Sequence, residues 1–112
     1  MIARITIAAL LFSITGPFDL ARAETGRAAY YHGGRTASGE VSKSTEFTAA
    51  HRTLPFGSKI RVTNIRNGRS VIVRINDRGP YGRGRIIDVN HAAARELGMI
   101  DSGTAMVRID QP

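Results

Sequence analysis

Cysteine is absent from all 112 residues. That excludes a disulfide framework, a thiolate nucleophile, a cysteine-based metal centre and lipidation at a cysteine. There is no Gly-rich phosphate loop of the Walker type and no H-E-x-x-H pair, and His32 and His91 lack metal-like spacing. No metal and no cofactor is therefore expected. The apolar stretch from Ile5 to Ile14 is about ten residues long, against roughly twenty needed to span a bilayer, so a membrane anchor is not expected. There is no internal repeat and no linker, and the length suits one small domain.

What is present begins with an export pattern. Arg4 gives a short positive start, Gly16-Pro17 breaks the apolar run, and Ala21-Arg22-Ala23 puts small residues at the two positions a signal peptidase reads. This predicts a signal peptide over 1–23, cleavage after Ala23, and one domain over 24–112. The product is expected to be soluble. Residues 24–112 carry 14 Lys and Arg against 8 acids, a net +6, and all but one of those cations lie between Arg35 and Arg108. Such a surface suits nucleic acid, but export removes that partner. An anionic wall polymer or membrane surface is the better counterpart, with simple solubility as the plainer use of the charge. Without disulfides, a domain this small must hold itself together by burial and backbone pairing.

Strand signals come in short bursts. After a leader from Glu24 to Arg27, Ala28–His32 reads as a strand, and Arg35–Phe47 as a long polar loop of the kind that is functional or disordered. Thr48–His51 is a short strand and Leu54-Pro55-Phe56-Gly57 a turn. Lys59–Asn64 and Arg69–Asn76 alternate around Asn67-Gly68, a strong signal for a two-residue hairpin turn. Val71, Val73 and Ile75 share one face of the second run; Ile72 on the other face suggests partial cover on both sides. A glycine-rich loop over Asp77–Gly84 precedes a strand at Arg85–Val89. Asn90 then reads as the N-cap of a helix from Ala92 to Leu97, Gly98 as its left-handed stop, and Thr104–Asp110 as the last strand. Many short strands with one small helix point to a mainly β fold, a compact barrel whose closure removes exposed edges.

The candidate chemistry lies in carboxylates. Asp77 sits where an apolar strand meets the glycine-rich loop, with Arg78 beside it as a candidate charge partner. It is a candidate acid, or equally a turn-capping residue before Gly79-Pro80. Glu40 lies in the polar loop, as a second acid or a solvated loop residue. His51 either serves the site or bonds backbone and stiffens its turn. Asp88 is read as structural, bonding loop or helix amides. Cleaving a polysaccharide requires an acid to protonate the glycosidic oxygen, plus a base or a nucleophile within the substrate itself. Tyr30, Tyr31 and Tyr81 offer faces on which sugar rings pack.

Several blocks carry a family resemblance. Ala28-Ala29-Tyr30-Tyr31, Thr36-Ala37-Ser38-Gly39-Glu40, Thr48-Ala49-Ala50-His51-Arg52-Thr53-Leu54-Pro55, Val62-Thr63-Asn64, Asn67-Gly68-Arg69-Ser70, Asn76-Asp77-Arg78-Gly79-Pro80, Arg85-Ile86-Ile87-Asp88 and Ala92-Ala93-Ala94 occur in the order found in the rare lipoprotein A (RlpA) family. The resemblance runs from about Gly26 to Ile109. It implies a six-stranded double-psi β-barrel with one short helix, shared with expansins, barwin-like proteins and family-45 endoglucanases. It also implies periplasmic lytic transglycosylase activity on peptidoglycan glycan strands stripped of stem peptides, leaving 1,6-anhydro-muramic ends. The family's functional acids and histidine fall on Asp77, Glu40 and His51, with Tyr30, Tyr31, Arg78 and Tyr81 as expected substrate contacts. Other cell-wall or division proteins are further candidate partners, and a monomer is expected. The chain departs from the family in lacking the lipid-attachment cysteine, so a lipoprotein is not expected, and the C-terminal wall-binding repeat. It also has Val41-Ser42-Lys43 where an aromatic and an acid or amide often follow the Gly-Glu pair. The alternative function is a non-catalytic, expansin-like module that binds glycan.

Overall fold

The computed structural model describes residues 23–43 and 45–112. The signal-peptide expectation over 1–23 lies outside the described residues except for Ala23. Within them, eight strands and one helix follow in chain order: β1 Glu24–Tyr31, β2 Gly34–Arg35, β3 Val41–Ser42, β4 Thr48–Ala50, β5 Lys59–Asn64, β6 Ser70–Asp77, β7 Arg85–Asn90, α1 His91–Leu97 and β8 Thr104–Asp110. Six of the strands close into a barrel in the order β1-β7-β4-β6-β5-β8, with β8 returning to β1. Two of the pairings, β1 with β7 and β4 with β6, are parallel, and the rest of the ring is antiparallel. This is the double-psi barrel, and closure leaves the ring without an unpaired edge.

The alternation along each strand explains the interior. Ala28, Val62, Val73, Ile75, Ile87, Val89, Val107 and Ile109 point inward and are essentially fully buried. Each larger one contributes roughly 1.5–3 kcal/mol by leaving water. Leu97 of α1 and Met99 just after it are fully buried in the same core. The helix starts and stops for local reasons. The Asn90 side chain accepts from the Ala93 amide, and Gly98 takes the left-handed conformation (φ 71°) that lets the Gly98 and Met99 amides reach Arg95 and Ala94 carbonyls.

Three local expectations need correction. Glu24–Arg27 is not a leader; these residues pair with β8 along most of their length. The loop after β1 contains the small β2–β3 hairpin. The Asn67-Gly68 reversal is not a two-residue turn: the chain turns through Ile65-Arg66-Asn67-Gly68, with the Gly68 amide bonding to the Asn64 carbonyl and the Asn64 amide to the Arg69 carbonyl. Only the glycine end of the pair sits at a positive φ of 77° that a glycine takes without cost. Ile72, on the outer face of β6, is 47% exposed, so that face is partly covered, as expected.

Candidate functional site

The outer face of β4 is built from small residues. Ala49 points into the core, so Thr48 and Ala50 face the outer side of the sheet, where they form a small, buried floor (1% and 4% exposed) between the outward side chains of β6 and β7, termed the groove below. Tyr31 lies beside this floor, its hydroxyl 3.4 Å from Thr48 Oγ1. Burial pushes the Tyr31 hydroxyl up from its ordinary value. Contacts with Thr48 and Ser42 oppose that shift, and the charges of Asp77 and Asp88 add to it.

Asp77 reaches the same face through an irregularity in β6. Alternation from Val73 and Ile75 would point residue 77 into the core. The register instead pairs Ala49 with Ile75 and Ala50 with Asp77, so Asn76 is an extra residue on β6. This bulge turns Asp77 outward beside Ala50. Its Oδ1 accepts the Ala37 and Arg78 amides, both at 2.8 Å, while no described residue hydrogen-bonds its Oδ2. The carboxyl is thus fixed by backbone on one oxygen and open on the other.

Glu40 comes to the same side, but as a clamp. Arg74 donates to both of its oxygens at 2.8 and 3.1 Å, and Asn76 Nδ2 donates at 3.0 Å. Arg74 also reaches Glu46 at 2.9 Å, so one guanidinium joins the loops on either side of β3. The donations from Arg74, then from Asn76, hold the Glu40 carboxyl down at about 2. Together with the Ser38 amide on the Asn76 carbonyl, they fasten the turn 36–40 over β6.

His51 is committed elsewhere. Its Nδ1 accepts the Thr53 and Leu54 amides at 3.1 and 3.2 Å, and its Nε2 lies 3.2 Å from Glu24 Oε1. Accepting at Nδ1 assigns the proton of the neutral ring to Nε2. Its backbone amide bonds the Asp77 carbonyl, so His51 is Asp77's neighbour through the main chain while its ring stiffens the turn after β4. Arg78 is no charge partner for Asp77. Its guanidinium donates to the His51 and Leu54 carbonyls and lies 4.0 Å over the Phe56 ring. Tyr81 is 75% exposed, with its ring over Gly79. Tyr30, one residue from Tyr31, faces the other way. Its hydroxyl bonds the Ile100 carbonyl and its ring packs on His32 and His91, away from the groove.

Sequence reasoning missed Arg74, Thr48 and the placement of Asp88. Asp88 bonds no loop or helix amide among the described residues. It lies between inward-facing Ile87 and Val89, in register with Ala29 on one side and Ala50 on the other, and Arg85 Nη2 holds both of its oxygens at 2.8 Å. Alternation alone gives its outward direction; its place in the groove needed the strand order. A separate cavity of about 440 Å3, lined by Arg27, Asn64, Ile65, Thr104 and Met106 among others, has no acid in its wall and so nothing to move a proton. Among the described residues no group of three or more His, Cys, Asp or Glu is arranged to hold a metal.

The family model described as "Lytic transglycolase" matches residues 23–109. The chain belongs to this family. Among curated relatives, it is 61% identical over 85 residues to a "Probable endolytic peptidoglycan transglycosylase RlpA" of Nostoc sp., covering 76% of this chain and 23% of that protein. It is 54% identical over 92 residues to the "Endolytic peptidoglycan transglycosylase RlpA" of Neisseria meningitidis serogroup A, covering 79% and 38%. The chain therefore spans between about a quarter and two fifths of the length of these relatives. Two solved structures share its fold. The Streptomyces papain inhibitor has a TM-score of 0.66 at 24% identity, over 81% of this chain and 94% of that one. An expansin of Clavibacter michiganensis, solved with cellohexaose, has a TM-score of 0.65 at 19% identity, over 79% and 49%.

Proposed function

We propose that this domain is an endolytic peptidoglycan lytic transglycosylase acting on glycan strands that lack stem peptides. The observation that carries this reading is the Asp77 carboxyl. A bulge aims it into a small-floored groove, two amides hold one oxygen, and the other is open to substrate. The names of the relatives support the same reaction. In it, Asp77 Oδ2 passes a proton to the glycosidic oxygen as the C1–O4 bond breaks. The muramic 6-hydroxyl oxygen then bonds to C1, its proton returns to Asp77, and a 1,6-anhydro ring closes without water. Tyr31 borders the groove floor and Tyr81 offers an exposed ring beyond the Asp77 loop, so both suit sugar packing. Arg78 and His51 brace the turn after β4, next to the Asp77 backbone, and Glu40 fixes the covering loop rather than donating a proton. The protein acts in the periplasm after removal of a signal peptide. Among the described residues no helix is long and apolar enough to cross a membrane.

The test is mass spectrometry of naked glycan strands after incubation with the protein. New 1,6-anhydro-muramic ends are expected. Binding of the strands without any anhydro ends would replace this reading with that of an expansin-like binding module.

A further inference from the structure

The side of the barrel away from Asp77 carries a second recess that the cleavage chemistry does not use. Around the ring the groove spans β7, β4 and β6, and the other three strands, β5, β8 and β1, stand opposite. There Arg27 and Met106 are in register across β1 and β8, and the Ile65 amide bonds the Met106 carbonyl at 3.0 Å. Ala28 and Val107 point inward, so Arg27 and Met106 point outward. Both line the cavity of about 440 Å3, together with Ile65 and Arg66, and that volume suits a small ligand. Ile65 and Met106 are each about half exposed, so two large apolar side chains lie side by side in water. The polar groups of the wall decide what fits above them. The side chains of Asn64 and Asn67 turn back on the chain: both donate to the Leu97 carbonyl and accept the Arg66 and Arg69 amides. Ser102 Oγ is engaged by the Met99 and Thr104 carbonyls. The described ion pairs of arginine use Arg61, Arg74, Arg85 and Arg108, so no described acid neutralises Arg27 or Arg66. The recess thus offers an aliphatic floor and two guanidiniums, with no acid in its wall.

We propose that this recess is a second binding site, which holds a short acidic peptide of the wall, a stem peptide, with its methyl groups on Ile65 and Met106 and its carboxylates on Arg27 and Arg66. The choice of a stem peptide rests on the peptidoglycan reading of the domain. Such a peptide unites what the recess asks for, small aliphatic side chains and free carboxylates on one short chain. A guanidinium grips a carboxylate through paired N–H donors, which fixes direction as well as charge. The strand proposed for the groove lacks these peptides, so the two sites take different parts of the wall. Because they lie on opposite sides of the ring, the domain can hold a peptide-bearing strand while the groove works on a stripped one. No bond is made or broken at the recess.

The test is an NMR titration of the isotope-labelled full chain with a synthetic stem tetrapeptide whose carboxylates are free, and with the same peptide amidated at each of them. Amide signals of Arg27, Ile65, Arg66 and Met106 should shift, those of Ala50 and Asp77 should not, and amidation should abolish the effect. An exposed ion pair is worth about 2- to 5-fold in affinity, so Arg27→Gln and Arg66→Gln should each weaken binding by that factor. Both variants should form anhydro ends from naked strands at the wild-type rate. Shifts confined to the groove, no shifts at all, or equal binding of the amidated peptide overturns the proposal. Equal binding of a peptide of ordinary L-residues with the same carboxylates gives the recess to a protein partner and overturns the choice of a stem peptide. A wild-type chain that binds the stem peptide at the recess yet makes no anhydro ends sinks the cleavage reading and leaves the recess assigned.

Discussion

Replacing Asp77 separates proton transfer from structure, because its two roles sit on different oxygens. Asp77→Asn keeps an acceptor at Oδ1 for the Ala37 and Arg78 amides, so it should cost less than about 1 kcal/mol of stability. Asp77→Ala removes both acceptors. At a half-exposed site, where water replaces part of each bond, this costs about 1 kcal/mol per bond, or roughly 2 kcal/mol in all. For a domain of this size about 1 kcal/mol moves the melting temperature by roughly 4–8 °C, so the alanine variant should melt roughly 8–16 °C lower and the asparagine variant within a few degrees of wild type. Cleavage should divide the variants differently. Both lose the transferable proton, so both should lose about 10²- to 10⁴-fold in anhydro-end formation, equivalent to roughly 3–5 kcal/mol of barrier. Calorimetry and product mass spectrometry on the same preparations read the two effects. Cleavage by a well-folded Asp77→Asn protein at wild-type rate would refute the assignment of the proton to Asp77. A loss of stability in the asparagine variant as large as in the alanine variant would refute the division between its oxygens.

The clamp on Glu40 makes a prediction with a definite pH window. Its carboxyl is held at about 2, below its free value of 4.5, so the clamp's contribution is complete above 4.5 and is lost as pH falls through about 2. Hydrogen exchange at the Thr36 and Gly39 amides should rise across that window, and Glu40→Gln should abolish the dependence while leaving more cleavage at neutral pH than Asp77→Asn does. His51→Ala should cost about 2–3 kcal/mol, because the Thr53 and Leu54 amides lose their acceptor, measured as a lower melting temperature. Cleavage per folded molecule should fall far less than in Asp77→Asn, and an equal fall would return the ring to the chemistry. Binding to intact wall should weaken as salt rises, since exposed charges are screened beyond about 10 Å at 0.1 M salt; a salt-independent isotherm would remove charge from the account of binding.

Those contrasts also show which parts of the site were legible in the sequence. Helix ends were, because Asn90 and Gly98 act on amides and carbonyls within one turn. Barrel strands with clear alternation, such as 59–64 and 70–75, were legible for the same local reason. The β2 and β3 strands were not, since two residues carry no period. Nor was the bulge: alternation continued past Ile75 predicts the wrong face for residue 77, and only pairing with Ala49 and Ala50 reveals the extra residue. Tyr30 and Tyr31 look equivalent in the sequence, yet lie on opposite faces of β1 because neighbours in a strand always do. Asp77 was recognisable as a strand-end acid. Asp88 was read as structural because its place beside Ala50 comes from the β4–β7 register, between residues nearly forty positions apart.

The bulge at Asn76 also makes the site sensitive to length rather than composition. Because the extra residue lets Asp77 face outward two positions after inward-facing Ile75, adding a residue between Ser70 and Asn76, or losing one other than the bulge itself, changes which side chains face the core. Substitutions along the outer face of β6, Ile72 among them, keep the parity and spare this arrangement. The evolutionary record of such a strand should therefore show free exchange of outward residues and a fixed count, while the turn 36–40, attached by side chains and single amides, has room to grow or shrink.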